Sequence, residues 1–169
     1  MTPMVWNFII IGAVVLIFLI LVRRLPIAAK FLQKEKIETT PEAIVSSSLM
    51  SQADDAFEAK KYDKAEQLYI GIAAHDPKNV KIYNRLGTIY IERKNYYDAK
   101  DAFVLATKLD PMSADNYIGL GQAYMGLKDY FKASQTFLQA IEIDPKDKKY
   151  REFYEKSQKL LEREKGKRR

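Results

Sequence analysis

The sequence predicts an all-α fold in which three helix-turn-helix repeats and a C-terminal capping helix follow one transmembrane helix. Three observations support this prediction. Pro77, Pro111 and Pro145 are equally spaced, each directly after an aspartate, and a fixed period of this kind is typical of a repeat solenoid. Within each block, apolar and small side chains recur at helical spacing. Residues 4–22 contain no charged side chain and are mostly aliphatic or aromatic.

Residues 4–22 are predicted to form a single transmembrane helix. At 1.5 Å per residue it would be about 28 Å long, close to the roughly 30 Å hydrocarbon core of a bilayer. Trp6 suits the membrane interface, and Arg23 and Arg24 end the apolar segment. Because Lys and Arg follow the segment and none precedes it, the positive-inside rule predicts a cytoplasmic repeat domain and an N-terminus outside. Processing of a signal peptide at Ala28-Ala29 is the alternative, although the basic start of a signal peptide is missing.

A juxtamembrane linker is predicted over residues 23–40, and the three repeats over residues 41–147. Thr39 with Glu42, or Thr40 followed by Pro41, indicates the start of the first helix. The repeats themselves are expected at about 46–79, 80–113 and 114–147.

The second repeat shows the helical pattern most clearly. Its first helix is predicted to place Tyr83, Leu86, Gly87 and Tyr90 on one face, and its second helix Tyr96, Ala99, Phe103 and Ala106. The third repeat has the same pattern one period later, and the first is looser, as expected for an end unit. Glycine opposite alanine predicts a close approach of the two helices in each pair.

Polar residues at the predicted helix starts are expected to act as N-caps. Their side-chain oxygens would accept hydrogen bonds from the first free amides of the helix. The residues are Asn79, Ser113 and Asp147 before first helices, and Asn95 and Asp129 before second helices.

The C-terminal region is predicted to form a capping helix over residues 148–164 and a basic tail over 165–169. The last repeat exposes an apolar face that such a helix would cover. The net charge of +6 is concentrated at the two ends of the chain. The tail either is solvated or contacts anionic lipid or nucleic acid. Nucleic acid is not favoured, because no aromatic side chain interrupts the tail and no nucleic-acid-binding fold accompanies it.

No catalytic residue, metal site or cofactor is predicted. The chain has no cysteine, which excludes disulfides and thiolate metal sites, and its single histidine, His75, has no neighbouring ligand pattern. Motifs of serine hydrolases, zinc proteases and phosphate-binding loops are missing. We therefore expect neither an enzyme nor a small-molecule substrate.

The periodic pattern over residues 46–147 resembles the tetratricopeptide repeat family, with Tyr83 and Tyr117 where the family often has tryptophan. The resemblance implies a right-handed solenoid whose first helices line a concave groove. It predicts a membrane-anchored adaptor or scaffold that binds a protein or peptide there, at the cytoplasmic face. A component of a protein-import or secretion receptor, and an oligomeric structural scaffold of a membrane complex, are the alternatives.

The groove positions that the resemblance implies supply the candidate site. They are Lys81, Asn84, Arg85, Thr88 and Gln122, which are polar, and Met50, Phe57, Ile118 and Met125, which are apolar. Lys81 and Arg85 are expected to favour an acidic partner segment, and Asn84 to hold a peptide backbone.

Some members of the family bind C-terminal carboxylates through a clamp of lysine and asparagine side chains. The corresponding positions in this chain hold Met50, Asp54, Arg85, Asp115 and Gly119. Because only Arg85 fits, that activity is not expected.

Overall fold

A computed structural model of the protein describes residues 41–167, with side chains from residue 45 onward. Over this range it consists of α1 (Pro41–Glu58), α2 (Tyr62–His75), α3 (Val80–Glu92), α4 (Tyr96–Leu109), α5 (Ala114–Gly126), α6 (Tyr130–Ile143) and α7 (Lys148–Lys167). The prediction of an all-α solenoid is confirmed.

The predicted transmembrane helix, the linker and the last two residues of the tail lie outside the described residues. Among helices α1 to α7, none is both long and apolar enough to cross a bilayer. Residues 49–167 belong to one compact unit, and the contacts described below lie within it.

Each repeat is a pair of consecutive helices, and the pairs stack on one another. Helix α3 packs on α4, and α5 packs on α6. Between repeats, α4 packs on α5, and the two first helices α3 and α5 also touch. The last helix, α7, packs on α6. Because the connections are short, each helix packs mainly on its neighbours along the stack.

The turn inside each pair is closed by a lysine in the left-handed conformation. Lys60, Lys94 and Lys128 have φ angles of 55°, 60° and 61°. At the second turn, the Asn95 amide donates to the Tyr90 carbonyl oxygen at 2.8 Å, as in a Schellman motif. This conformation costs a residue with a side chain about 1 kcal/mol, so the turn is held by the packing of the helices on either side.

The prediction of side-chain N-caps is confirmed at two positions and wrong at three. Asp129 accepts from the Lys132 amide at 3.1 Å, and Asp147 accepts from the Lys149 amide at 2.8 Å. No side-chain cap bond forms at Asn79, Ser113 or Asn95. The two asparagines instead turn their amide nitrogens to a nearby carboxylate, Asp76 for Asn79 and Asp98 for Asn95.

The predicted close approach of the helices is confirmed in the second and third pairs, at Gly87 and Gly121. A Cβ atom added at Gly87 would lie 2.6 Å from the Phe103 ring. The opposite edge of the same ring lies against Gly119, in the next repeat, so the ring is held between two glycines. Tyr69 and Phe137 occupy the equivalent positions of the other repeats, and both are fully buried.

Helix α7 continues the register of the first helices but ends the stack. Tyr150, Tyr154 and Ser157 follow Asn116, Leu120 and Ala123 by one period of the repeat, and Ser157 is fully buried. The face that would receive a further helix carries the exposed Arg151 and Glu155, where the third repeat has Tyr117 and Gly121. Because this face is polar, no further helix has an apolar surface to pack on.

Candidate functional site

The predicted site residues lie on the first helices of the three repeats, and we call the face of α1, α3 and α5 that carries them the groove face. Lys81 and Arg85, which were expected to favour an acidic partner, are both paired within the protein. The Lys81 ammonium lies 2.5 Å from Asp54 Oδ2. The Arg85 guanidinium lies 3.6 Å from Asp54 and 3.5 Å from Glu58. It also stacks over the Phe57 ring at 4.3 Å.

Asp54 is the centre of this cluster, and a hydrogen bond from Tyr69 holds its carboxylate in place. The fully buried Tyr69 hydroxyl donates to Asp54 Oδ1 at 2.7 Å. Burial alone would raise the pKa of Asp54, but the hydrogen bonds and positive charges around it outweigh burial and lower that pKa. Burial, together with the hydrogen bond to Asp54, raises the pKa of Tyr69. The carboxylate therefore stays ionised and holds both cations on the groove face.

Asn84 is held in place by a buried residue of the next repeat. Its Nδ2 donates to Asn116 Oδ1 at 2.8 Å. Asn116 is 1% exposed and in turn donates to the carbonyl oxygens of Ala106 at 3.3 Å and Asp110 at 3.4 Å. Asn84 keeps its own carbonyl oxygen and one amide hydrogen, which is the pair that a peptide backbone requires.

Thr88 and Gln122 lie further along the groove face, and both are half-buried. The Thr88 hydroxyl donates to the Asn84 backbone carbonyl at 2.9 Å, within its own helix. Its donor is therefore used locally, and the hydroxyl oxygen is left as an acceptor.

Three of the four apolar site residues remain partly exposed, whereas Ile118 does not. Met50 and Phe57 pack against the core of the first two repeats, and Met125 against that of the third, each with part of its side chain open. Ile118 is 8% exposed and belongs to the second core cluster, beside which residues of α7 pack. Its side chain offers almost no surface to a partner.

Most of the clamp positions in this chain hold residues that do not suit a bound carboxylate. Asp54 and Asp115 place negative charge at two of the clamp positions, and Gly119 is buried under Phe103. Asp115 accepts from the Tyr150 hydroxyl at 3.0 Å, and burial together with this bond raises the pKa of Tyr150 to about 12. Arg85, which fits the clamp, is paired with carboxylates of α1.

The sequence did not indicate that two residues, Asn116 and Tyr69, contribute to this site. Asn116 interrupts the apolar pattern where the second repeat has Ile82, and Tyr69 stands where the other repeats have phenylalanine. Their partners Asn84 and Asp54 are 32 and 15 residues away. Over residues 41–167, no group of three or more potential metal ligands occurs.

Solved structures with the same fold are domains of tetratricopeptide repeats. The first such domain of human RPAP3 has a TM-score of 0.67 and 21% identity, and the match covers 72% of this chain and 95% of that one. The first such domain of Spaghetti (RPAP3), bound to the HSP90 peptide SRMEEVD, has a TM-score of 0.66 and 22% identity, with coverage of 69% and 92%. The Sgt2 domain of Aspergillus fumigatus has a TM-score of 0.65 and 26% identity, with coverage of 73% and 81%.

No curated protein matches the chain. Family models agree with the likeness to these solved structures. Two models described as tetratricopeptide repeat match residues 56–111 and 114–147, together more than half of the 169 residues. The chain therefore belongs to the tetratricopeptide repeat family.

Proposed function

We propose that the protein is an adaptor that binds a protein or peptide partner along its groove face and is held at a membrane by residues 4–22. The main support is the mixed surface of the groove face, where Asn84, Thr88 and Gln122 stand beside the partly exposed Met50, Phe57 and Met125. Solenoids of this kind use their concave surface for binding. The similar domain of Spaghetti (RPAP3) was solved with a bound peptide.

The groove face is suited to an extended peptide segment. Asn84 is fixed by Asn116, so it presents a backbone-matching pair of groups with little loss of side-chain freedom on binding. The methionines provide apolar contact that adapts to the shape of the partner. Since Lys81 and Arg85 are paired with Asp54 and Glu58, the middle of the groove selects by shape and backbone contact more than by charge.

We propose a binding role without catalysis. The single histidine, His75, is exposed at the end of α2. General acid-base chemistry needs a titratable group positioned beside a reacting atom.

The proposed anchor is a single-pass helix over residues 4–22, with the repeats on the cytoplasmic side. Its support is the uncharged sequence of that segment and the arginines and lysines that follow it. An anchor raises the local concentration of the groove at the membrane, so a weak interaction with a membrane-associated partner suffices for recruitment.

The polar outer face of α7 weighs against an end-to-end polymer of repeats. Arg151 and Glu155 would have to be desolvated in such a contact. We therefore favour an adaptor over an oligomeric scaffold that grows through its C-terminal end.

Site-specific photo-crosslinking of the full-length protein in its native membrane tests the binding face. With p-benzoylphenylalanine in place of Gln122, we expect a discrete crosslinked product that Asn84→Ala weakens. The matched control replaces Gln135, which is exposed on the second helix α6, and we expect no such product. Equal crosslinking at the two positions would overturn the groove proposal.

Washing the membranes with carbonate tests the anchor. We expect the full-length protein to stay in the membranes and the variant that lacks residues 4–22 to be released.

A further inference from the structure

Helix α7 places a row of lysines in line with the groove face. Lys149, Lys156 and Lys159 follow Asp115, Gln122 and Met125 by one period of the repeat. Because α7 keeps the register of the first helices, these three lysines occupy the helix positions that point to the groove in the third repeat. We call them the α7 lysine row.

The packing of α7 supports this register. Tyr150, Tyr154 and Ser157 take the positions of Asn116, Leu120 and Ala123, and the two tyrosines pack against the core that contains Phe137. The Tyr150 hydroxyl donates to Asp115 Oδ1 at 3.0 Å, which joins α7 directly to the groove side of α5. The lysine row is thus adjacent to the groove face along the stack.

Among residues 41–167, the lysines of the α7 lysine row form no ion pair, unlike Lys81 and Arg85. All three lysines are exposed, and none lies within 4 Å of a carboxylate among residues 41–167. Glu152 is one turn from both Lys149 and Lys156, and Glu155 and Glu162 are each one turn from Lys159. These carboxylates reduce the net charge of this surface without pairing at that distance. Among residues 41–167, the groove-side cations that form no ion pair are therefore on α7 rather than on α3.

We infer that the α7 lysine row is the acid-selective end of the groove and binds carboxylates of an acidic segment in the partner. The inference rests on the proposed binding of a peptide by the groove face, and it moves the charge selectivity from Lys81 and Arg85 to α7. Ammonium groups recognise carboxylates as point charges and tolerate variation in their spacing.

An acidic peptide fits this surface better than a bilayer or a nucleic acid. The row is in register with the groove face that we propose to bind a peptide. Binding of single-stranded nucleic acid needs aromatic rings free to stack on bases. The rings beside the row are already used, because Phe153 stacks on Phe137 at 5.4 Å and Tyr150 is hydrogen-bonded to Asp115.

Binding of fluorescein-labelled poly-L-glutamate to the full-length protein in a neutral detergent tests the inference. The variant Lys149→Gln, Lys156→Gln, Lys159→Gln removes the row, and we expect it to bind about tenfold more weakly than the wild type. The control Lys64→Gln, Lys78→Gln, Lys108→Gln removes the same charge from exposed positions on α2, the following loop and α4. It should bind within about twofold of the wild type.

Several results would overturn the inference. They are an absence of polyglutamate binding or an equal loss in the control. Lysine acetylation footprinting adds a second readout that does not depend on the variants folding. Polyglutamate should protect Lys149, Lys156 and Lys159 and leave Lys64 and Lys108 reactive. Protection of the row by phosphatidylserine in nanodiscs, with no protection by polyglutamate, assigns it to lipid and also overturns the inference.

Failure of this inference is distinguishable from failure of the proposed function. The crosslink at Gln122 could persist while the triple lysine variant binds polyglutamate as tightly as the wild type. In that case the groove binds its partner, but the α7 lysine row does not select acidic segments. If the Gln122 crosslink is missing in the wild type, the groove proposal itself fails.

Discussion

The side-chain amide of Asn84 donates to Asn116 Oδ1 at 2.8 Å and so links the first helices of adjacent repeats. Asn116 is buried and also donates to two carbonyl oxygens near the end of α4. One polar residue therefore fixes the second repeat against the third and orients the groove asparagine at the same time.

Replacing Asn116 by alanine removes this link. We expect Asn116→Ala to lower the free energy of unfolding by about 2 kcal/mol, because three hydrogen bonds are lost at a buried site. Urea denaturation followed by far-ultraviolet circular dichroism measures the change. Gln139→Ala, at an exposed position of α6, is the control and should stay within about 0.5 kcal/mol of the wild type. Equal stability of the two variants would contradict a structural role for Asn116.

The contact of Gly87 with Phe103 predicts opposite effects at two helical glycines. Alanine normally stabilises a helix interior by about 1 kcal/mol relative to glycine. At Gly87 the new methyl group would lie 2.6 Å from a ring that Gly119 holds on its other side, so we expect a net loss of about 1 to 2 kcal/mol. Gly71 has no atom within 4 Å of an added Cβ, and Gly71→Ala should raise the unfolding free energy by about 1 kcal/mol. Thermal unfolding of the two variants shows whether the signs differ.

The left-handed lysines of the turns predict a stabilising substitution. Lys94 has a φ of 60°, which glycine adopts without a steric penalty. We expect Lys94→Gly to raise the free energy of unfolding by about 0.5 to 1 kcal/mol. The same substitution at Lys156, in the middle of α7, should lower it by about 1 kcal/mol. A loss of stability in both variants would show that the turn does not hold Lys94 in this conformation.

Asp54 predicts a specific loss of stability in acid. Since its pKa is lowered from 3.8 by folding, the unfolded chain binds a proton there at a higher pH than the folded chain does. This contribution to stability is complete above pH 3.8 and is lost as the pH falls through the folded-state pKa. We expect the unfolding free energy of the wild type to fall more steeply below that pH than that of Asp54→Asn.

Tyr69→Phe provides the companion measurement for Asp54. It removes one hydrogen bond to the carboxylate and keeps the ring, so the acid slope should lie between those of the wild type and Asp54→Asn. Unfolding curves at a series of pH values compare the three proteins. An identical slope in all three would show that the Asp54 cluster does not respond to protonation.

Much of the fold followed from the sequence because it depends on local periodicity. The spacing of Tyr83, Leu86 and Gly87, which recurs in the third repeat, was enough to predict the helix pairs and their close contact. The caps were harder to predict. Asn79 and Asn95 have two polar groups each, and a carboxylate three residues away competes with the backbone amide for the side chain.

The groove was predictable by position but not by chemistry. Lys81 is on the groove face as expected, yet its partner Asp54 is 27 residues earlier in the chain. Pairing over that distance depends on how the repeats stack, which no local pattern encodes. Ile118 illustrates the same limit, because its burial depends on the core formed with α6 and on the residues of α7 beside it.

The polar outer side of α7 has a consequence for how such a protein changes length. Helix α7 packs on the third repeat with its apolar side, and its polar side offers no apolar surface to a further repeat. A duplicated copy of residues 114–147 placed upstream would meet the same kind of junction that already exists. The number of repeats can thus change during evolution without any change in the sequence of α7.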